Sequence, residues 1–124
     1  MTNTTTGKIL IIDDEPGILR MLAFALSRKG YASDTAQTGA EGIQKFLSDT
    51  YALVLTDIKM PGMTGDAVLH ELKKIKDNTV PVVGMSGTPW LLHDHLFDDV
   101  LEKPCSIKKV FEVIENLLPP PLVH

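Results

Sequence analysis

Three short apolar runs constrain most strongly how this chain can fold. They cover residues 9–12, 52–55 and 80–85 and are rich in isoleucine, valine and leucine. Such runs are typical of strands that are buried on both faces, as in a parallel sheet covered by helices. A weaker, partly polar run at residues 31–36 is interpreted as an edge strand, and residues 100–101 are a minimal fifth candidate. The runs therefore predict a five-stranded sheet.

The segments between the runs carry apolar residues at helical spacing. Each begins with a residue suited to a helix N-terminus, namely Pro16, Thr38, Thr64 and Ser106. The clearest apolar set belongs to the last of these predicted helices, which Ser106 can cap, and consists of Ile107, Val110, Phe111, Ile114, Leu117 and Leu118. Strands that alternate with helices imply a three-layer α/β sandwich with right-handed crossovers.

Composition limits the class of protein. The chain has 124 residues, of which 44% are hydrophobic and 23% are charged, so it can bury a core. The single cysteine, Cys105, excludes a disulfide framework and a cysteine-built zinc site. The net charge of −4 argues against nucleic acid as a partner, and no apolar run approaches the roughly 20 residues of a membrane span. We expect a cytoplasmic protein with one domain over residues 8–118 and flexible termini at residues 1–7 and 119–124.

Polar residues follow the predicted strands at the points where the strands end. Asp13 and Asp14 come directly after the first run, and Asp57 comes after the third strand. Ser86 follows the fourth strand and Lys103 follows the fifth. Because ligands of open parallel sheets bind at the carboxyl ends of the strands, we expect these side chains to share one site.

These residue types suit phosphoryl transfer to a carboxylate. Three neighbouring aspartates repel each other and should recruit Mg²⁺, which prefers oxygen ligands. A carboxylate beside that ion can attack phosphorus while the metal and a lysine neutralise the phosphoryl oxygens. A hydroxyl or a backbone N–H can bind the remaining oxygen, and cofactor binding is also predicted at Ile58 and Gly87. The expected product is an aspartyl phosphate.

Four motifs resemble those of the receiver domain of two-component response regulators. They are IIDDEP at residues 11–16, LTDIKMPGMTG at residues 55–65, MSG at residues 85–87 and EKP at residues 102–104. The resemblance covers residues 8 to about 118. It implies a (βα)5, flavodoxin-like fold with the parallel sheet order 2-1-3-4-5.

The resemblance also implies roles for individual residues. Asp57 would accept a phosphoryl group from a phosphohistidine on a sensor histidine kinase or a histidine phosphotransfer protein. Asp14, Asp57 and the backbone carbonyl of Lys59 would hold Mg²⁺, with Asp13 acting largely through metal-bound water. The module would not be an enzyme in the usual sense, and its downstream protein target is not specified.

The same resemblance assigns the remaining side chains. Ser86 would bind a phosphoryl oxygen and signal its presence, Lys103 would pair with the phosphoryl group, and Pro104 would follow a cis peptide bond. We expect the Lys103 ammonium to lie at the rim of a solvent-reachable acidic site, where its loss should weaken signalling more than folding.

Two features depart from the family pattern. Receiver domains usually carry an aromatic residue three positions before the lysine, where this chain has Val100, and the nearest upstream aromatic is Phe97. The segment from Ser86 to Lys103 is also short for a strand-helix-strand unit, which predicts a shortened fourth helix. We therefore expect residues 87–95, with Trp90 as a probe, to carry the conformational signal.

Other functions are compatible with parts of this pattern. An aspartate-nucleophile phosphohydrolase needs a second carboxylate two residues after the nucleophile, where this chain has Lys59. A flavodoxin-like cofactor binder needs a phosphate-cradling loop after the first strand, where this chain has acidic residues instead. A receiver that never accepts phosphate would normally have an eroded site, whereas this site is complete.

Overall fold

The protein is described by a computed structural model over residues 7–75, 79–89 and 96–118. The strands are β1 (Lys8–Ile12), β2 (Ser33–Ala36), β3 (Tyr51–Asp57), β4 (Val82–Ser86) and β5 (Asp99–Glu102). The helices of the described residues are α1 (Pro16–Arg28), α2 (Gly39–Ser48), α3 (Gly65–Lys73) and α4 (Ile107–Leu117). No helix in these ranges is long and apolar enough to span a membrane.

The five strands form one parallel sheet in the order β2-β1-β3-β4-β5. This order confirms the expected flavodoxin-like topology. It also confirms the edge position of β2, and β5 forms the other edge. Both edge strands have four residues, whereas the central β3 has seven. The carboxyl ends of β1, β3 and β4 consequently lie side by side in the middle of the sheet.

Each face of the sheet supports its own hydrophobic core. Alternate residues of the central strands point to opposite faces, so Ile9 and Ile11 pack with α1 and α4 while Leu10 and Ile12 pack with α2 and α3. All four of these side chains are fully buried. The sandwich therefore has the three layers that the apolar runs predict.

The predicted helix starts are confirmed by their hydrogen bonds. The hydroxyls of Thr38, Thr64 and Ser106 each accept a backbone N–H three residues along, at 3.0, 3.2 and 3.1 Å respectively. Pro16 occupies the first turn of α1, where its missing N–H is not needed. These caps fix where each helix begins and thus how each preceding loop leaves the sheet.

Some strand bounds differ from the sequence-based expectation. Asp57 and Ser86 are the last residues of β3 and β4, rather than residues that follow them. The expected strand at residues 31–36 begins only at Ser33, and β5 is longer than the two residues expected. The expected fourth helix and Trp90 fall on residues 90–95, which lie outside the described residues. Most of the termini expected to be flexible, residues 1–6 and 119–124, also lie outside them.

Candidate functional site

Polar side chains from four strands converge at the carboxyl end of the sheet. Asp13 follows β1, Asp57 ends β3, Ser86 ends β4 and Lys103 follows β5. The Lys103 Nζ atom lies 3.2 Å from Asp13 Oδ2 and 3.4 Å from Asp57 Oδ1. The geometry thus brings together side chains that are up to 90 positions apart in the sequence.

Three carboxylates form an acidic cluster here. Asp13, Asp14 and Asp57 each offer an oxygen atom, and these atoms all lie within 4.8 Å of one another. Asp13 is fully buried and Asp57 is 5% exposed, whereas Asp14 is exposed to solvent. Oxygen donors that are close together, partly buried and open on one side fit a hard divalent cation that retains some of its water.

Lys103 supplies a cation to this cluster. It also approaches a third carboxylate, with its Nζ atom 3.8 Å from Glu15 Oε1, and its side chain is only 22% exposed. Burial disfavours the charged ammonium, but the charges of Asp13 and Asp57 outweigh this effect and raise the pKa of Lys103. Lys103 thus lies at the edge of the acidic cluster, between the buried carboxylates of Asp13 and Asp57 and the exposed carboxylate of Glu15.

Asp57 is held in an electrostatically unfavourable position. Burial raises the pKa of its carboxyl above the usual value, and the nearby charges of Asp13 and Asp14 raise it further. The positive charge of Lys103 acts in the opposite direction but does not cancel the increase. The negative charge of Asp57 is thus only partly compensated by the protein, and additional positive charge at the site would stabilise it.

The end of β4 is tied to the segment that follows it and to β5. The Thr88 backbone N–H donates to Ser86 Oγ at 3.0 Å, and the Lys103 N–H donates to the Ser86 carbonyl at 2.7 Å. Ser86 is 4% exposed, while Gly87 is exposed and has open space where a Cβ would stand. Both predicted residues therefore lie at the same end of the sheet as Asp57.

The loop after Asp57 is held by backbone contacts on two sides. The Ile58 N–H donates to the Met85 carbonyl at 2.9 Å, and its carbonyl accepts from the Gly65 N–H at 2.8 Å. A Cβ at Gly65 would lie 2.5 Å from the Asp57 carbonyl oxygen, so this close approach requires glycine. Lys59, which belongs to this loop, is exposed. The predicted roles of Ile58 and Lys59 remain predictions.

Further features of the site agree with the family resemblance or extend it. The Lys103–Pro104 peptide bond is cis, as the resemblance implies. Sequence reasoning did not single out Glu15, whose N–H donates to Asp13 Oδ1 at 2.9 Å and whose carboxylate approaches Lys103. The only sequence feature that indicates a role for Glu15 is its position directly after two aspartates. Val100 is half-buried and Phe97 is 6% exposed.

Comparison with known proteins finds relatives of this chain among transcriptional regulatory proteins and response regulators. The ResD transcriptional regulatory protein of Bacillus subtilis is 34% identical over 121 residues, which cover 95% of this chain and 50% of that protein. This chain thus spans about half the length of that relative. The crystal structure of the response regulator TrrA from Thermotoga maritima, in complex with Mg²⁺-BeF, matches with a TM-score of 0.82 and 33% identity. The match covers 91% of this chain and all of that one.

A second structure and a family model complete the comparison. The receiver domain of NtrX from Brucella abortus matches with a TM-score of 0.81 and 30% identity, covering 90% of this chain and 98% of that one. The model of the response regulator receiver domain matches residues 9–115. This chain belongs to the family of receiver domains of two-component response regulators.

Proposed function

We propose that this chain accepts a phosphoryl group on Asp57 in a Mg²⁺-dependent reaction and changes conformation to control a protein partner. The observation that carries the proposal is the position of the Asp57 carboxylate. It is almost fully buried, lies beside two further aspartates and has the Lys103 ammonium 3.4 Å from Oδ1. A carboxylate held in this way is a nucleophile surrounded by groups that can neutralise a phosphoryl group.

The chemical step is a displacement at phosphorus. An Asp57 carboxylate oxygen forms a bond to phosphorus while the bond between phosphorus and the donor atom breaks. That atom is an imidazole nitrogen of a phosphohistidine or the acyl oxygen of acetyl phosphate. The leaving group keeps the electron pair of the broken bond. Acetate leaves as its anion, and the departing histidine nitrogen takes up a proton from solvent to give neutral imidazole. No oxidant or further reactant is needed.

The acidic cluster would hold the cation in this proposal. Asp14 and Asp57 would supply carboxylate oxygens and Lys59 its backbone carbonyl, while Asp13 would act largely through water bound to the ion. When bound, Mg²⁺ provides positive charge that offsets repulsion among the carboxylates and on the phosphoryl oxygens. The fit rests on the spacing of these oxygens and on the incomplete compensation of Asp57 by Lys103.

The remaining side chains orient the phosphoryl group. The Lys103 ammonium keeps a charge-assisted contact with one phosphoryl oxygen while it stays paired with Asp13. The Ser86 hydroxyl is free to rotate and can donate to a second oxygen while still accepting the Thr88 N–H. Backbone N–H groups near Ile58 and Gly87 are proposed to bind the same group. Movement of Ser86 towards the phosphoryl group would displace Thr88 and so transmit the signal.

A phosphohistidine protein is the proposed donor. The family to which the chain belongs acts in two-component systems, and a receiver domain of the hybrid histidine kinase CckA matches with a TM-score of 0.78 and 28% identity. The donor would be a sensor histidine kinase or a histidine phosphotransfer protein. The downstream target would be another protein.

Incubation with acetyl phosphate and Mg²⁺ followed by intact-mass measurement tests the proposal. The wild-type protein should gain one phosphoryl group, and the gain should disappear when the cation is chelated. The matched control is Asp57→Asn, which keeps the shape of the side chain but removes the nucleophile. An Asp57→Asn protein that gains the same mass would show that another residue is the acceptor.

A further inference from the structure

One residue of strand β4 has no side chain, and two side chains from other segments occupy the space beside it. Gly84 lies in the middle of β4, and a Cβ built there would lie 2.7 Å from Ile58 Cδ1 and 3.2 Å from Phe97 Cδ1. Ile58 and Phe97 are 5% and 6% exposed and belong to the same hydrophobic core. We call this arrangement of Gly84, Ile58 and Phe97 the Gly84 notch.

The Gly84 notch holds the residue next to the acceptor. Ile58 directly follows Asp57, and its N–H and carbonyl are already bonded to Met85 and Gly65. The Ile58 side chain is the part of this residue that no hydrogen bond fixes, so its position depends on how closely the notch is filled. A side chain that filled the notch less well would leave Ile58, and with it the Asp57 backbone, more freedom to shift.

Phe97 is well placed to act as a fixed wall of the notch. Its neighbour Asp98 donates its N–H to the Val82 carbonyl at 2.8 Å and accepts the Val82 N–H on Oδ2 at 2.7 Å. These two bonds pin the chain beside Phe97 to the start of β4. These bonds therefore hold the backbone next to Phe97 in place. The ring reaches Gly84 from the segment that leads into β5.

We propose that Phe97 is a positioning residue for phosphoryl transfer, acting on Asp57 through Ile58 and the Gly84 notch. This inference rests on the proposed acceptor function of Asp57. The ring does not touch the reacting atoms; it restricts Ile58 and thereby keeps the Asp57 carboxylate aligned with Lys103 and Ser86. Because a misplacement of about 1 Å can slow a reaction by on the order of 100-fold, a small loosening of the notch should be measurable.

Substitutions that empty the notch in two steps test this inference. Phe97→Leu should slow phosphorylation by acetyl phosphate about threefold and Phe97→Ala about tenfold, at saturating Mg²⁺ and donor. The control pair is Phe111→Leu and Phe111→Ala, because Phe111 is a partly buried phenylalanine that packs against the core on the opposite face of the sheet. Both control variants should keep the wild-type rate, even where they lower the free energy of unfolding.

Two further measurements separate positioning from general destabilisation. The Mg²⁺ dissociation constant, measured by calorimetry, and the free energy of unfolding in urea are determined for every variant. If Phe97 acts by positioning, the phosphorylation rate of the Phe97 variants should fall more than that of Phe111 variants that have lost the same free energy of unfolding. It also predicts that Ile58→Val changes the rate less in the Phe97→Ala background than in the wild type, because the packing at the Gly84 notch has already been lost.

The outcomes distinguish this inference from the function on which it rests. A wild-type protein that acetyl phosphate does not phosphorylate overturns the acceptor function and the inference together. A phosphorylated wild type with an unchanged or faster rate in Phe97→Leu and Phe97→Ala overturns the inference alone. If Phe97→Ala does not fold, Phe97→Leu decides the question by the same criterion.

Discussion

The two ends of the sheet carry the same kinds of residue with opposite electrostatic results. The carboxyl-end cluster consists of Asp13, Asp14, Asp57 and Lys103, and the amino-end cluster consists of Lys8, Asp34, Asp49 and Tyr51. In the amino-end cluster, the Lys8 ammonium contacts Asp34 at 2.9 Å and also contacts Asp49. Each cluster thus joins one lysine to two or more aspartates, but only one of them resembles a reactive site.

Burial accounts for the difference. Hydrogen bonds from Lys8 lower the pKa of both Asp34 and Asp49, because these side chains remain partly solvated and pay little for their charge. Burial instead dominates at Asp57 and raises its pKa, although Lys103 is close. Tyr51, whose hydroxyl donates to Asp34 at 2.8 Å, has its pKa raised to about 12 by burial and by this bond. The amino-end cluster stabilises the fold, whereas the carboxyl-end cluster holds a charge that the fold does not fully accommodate.

Alanine substitutions of two glycines test the comparison between the two ends of the sheet. They should give the largest change in the free energy of unfolding. Gly65→Ala should lower the free energy of unfolding by roughly 3 kcal/mol, because its Cβ would meet backbone atoms of Asp57 and Ile58 at 2.5 and 2.6 Å. Gly7→Ala at the amino end should cost less, since its nearest contact is Ala52 N at 3.3 Å. Urea unfolding measures both, and equal losses would contradict a specially tight carboxyl end.

Replacing Lys103 or Lys8 should lower the free energy of unfolding by less than Gly65→Ala does. The two losses should still be unequal. Lys103→Met leaves the buried Asp13 and Asp57 without their cation, so we expect a loss of about 2 kcal/mol in unfolding free energy. Lys8→Met should cost clearly less, because its partners remain accessible to water. Relative to the wild type at the same Mg²⁺ concentration, the deficit of Lys103→Met should narrow as Mg²⁺ saturates the acidic cluster, whereas the deficit of Lys8→Met should stay the same. Deficits that narrow equally in both would show that the ion does not act at the carboxyl end.

The free energy of unfolding should change with pH in opposite directions for the amino-end and carboxyl-end clusters. This is the smallest of the expected effects. The lowered pKa values of Asp34 and Asp49 mean that their stabilisation is complete above about pH 4 and is lost as the pH falls through the lowered values. The raised pKa of Asp57 means that its contribution is present below about pH 4 and is lost as the pH rises through the raised value.

Two substitutions separate these contributions. Without Mg²⁺, Asp34→Asn should flatten the stability curve below about pH 4, and Asp57→Asn should flatten it above that pH. Glu102→Gln is the control, because this exposed carboxylate forms no ion pair with another described residue. An Asp57→Asn protein whose curve matches the wild type would indicate that Asp57 carries no unfavourable burial.

Much of the fold could be predicted from the sequence because its signals are local. A strand buried on both faces must be apolar throughout, and a helix start needs a capping residue such as Thr38 or Ser106. The convergence of the candidate site's side chains could be predicted as well, because parallel strands deliver their carboxyl ends to one edge and the motifs around Asp57 resemble a known family.

The features that sequence reasoning missed depend on contacts between distant segments. Lys8 and Asp49 are 41 positions apart, and nothing near either residue indicates their pairing. Gly84 interrupts an apolar run without any local sign that Ile58 and Phe97 fill its space. Such contacts follow from tertiary packing and have no short-range pattern.

The two short edge strands bear on how the protein behaves at high concentration. Each has only four residues, and carboxylates stand on both, at Asp34 on β2 and at Asp99 and Glu102 on β5. A second molecule that added a strand to either edge would find few backbone groups to pair with and would bring like charges together. The sheet is thereby protected against edge-to-edge aggregation, and concentrated solutions at neutral pH should stay clear where acidified ones become turbid.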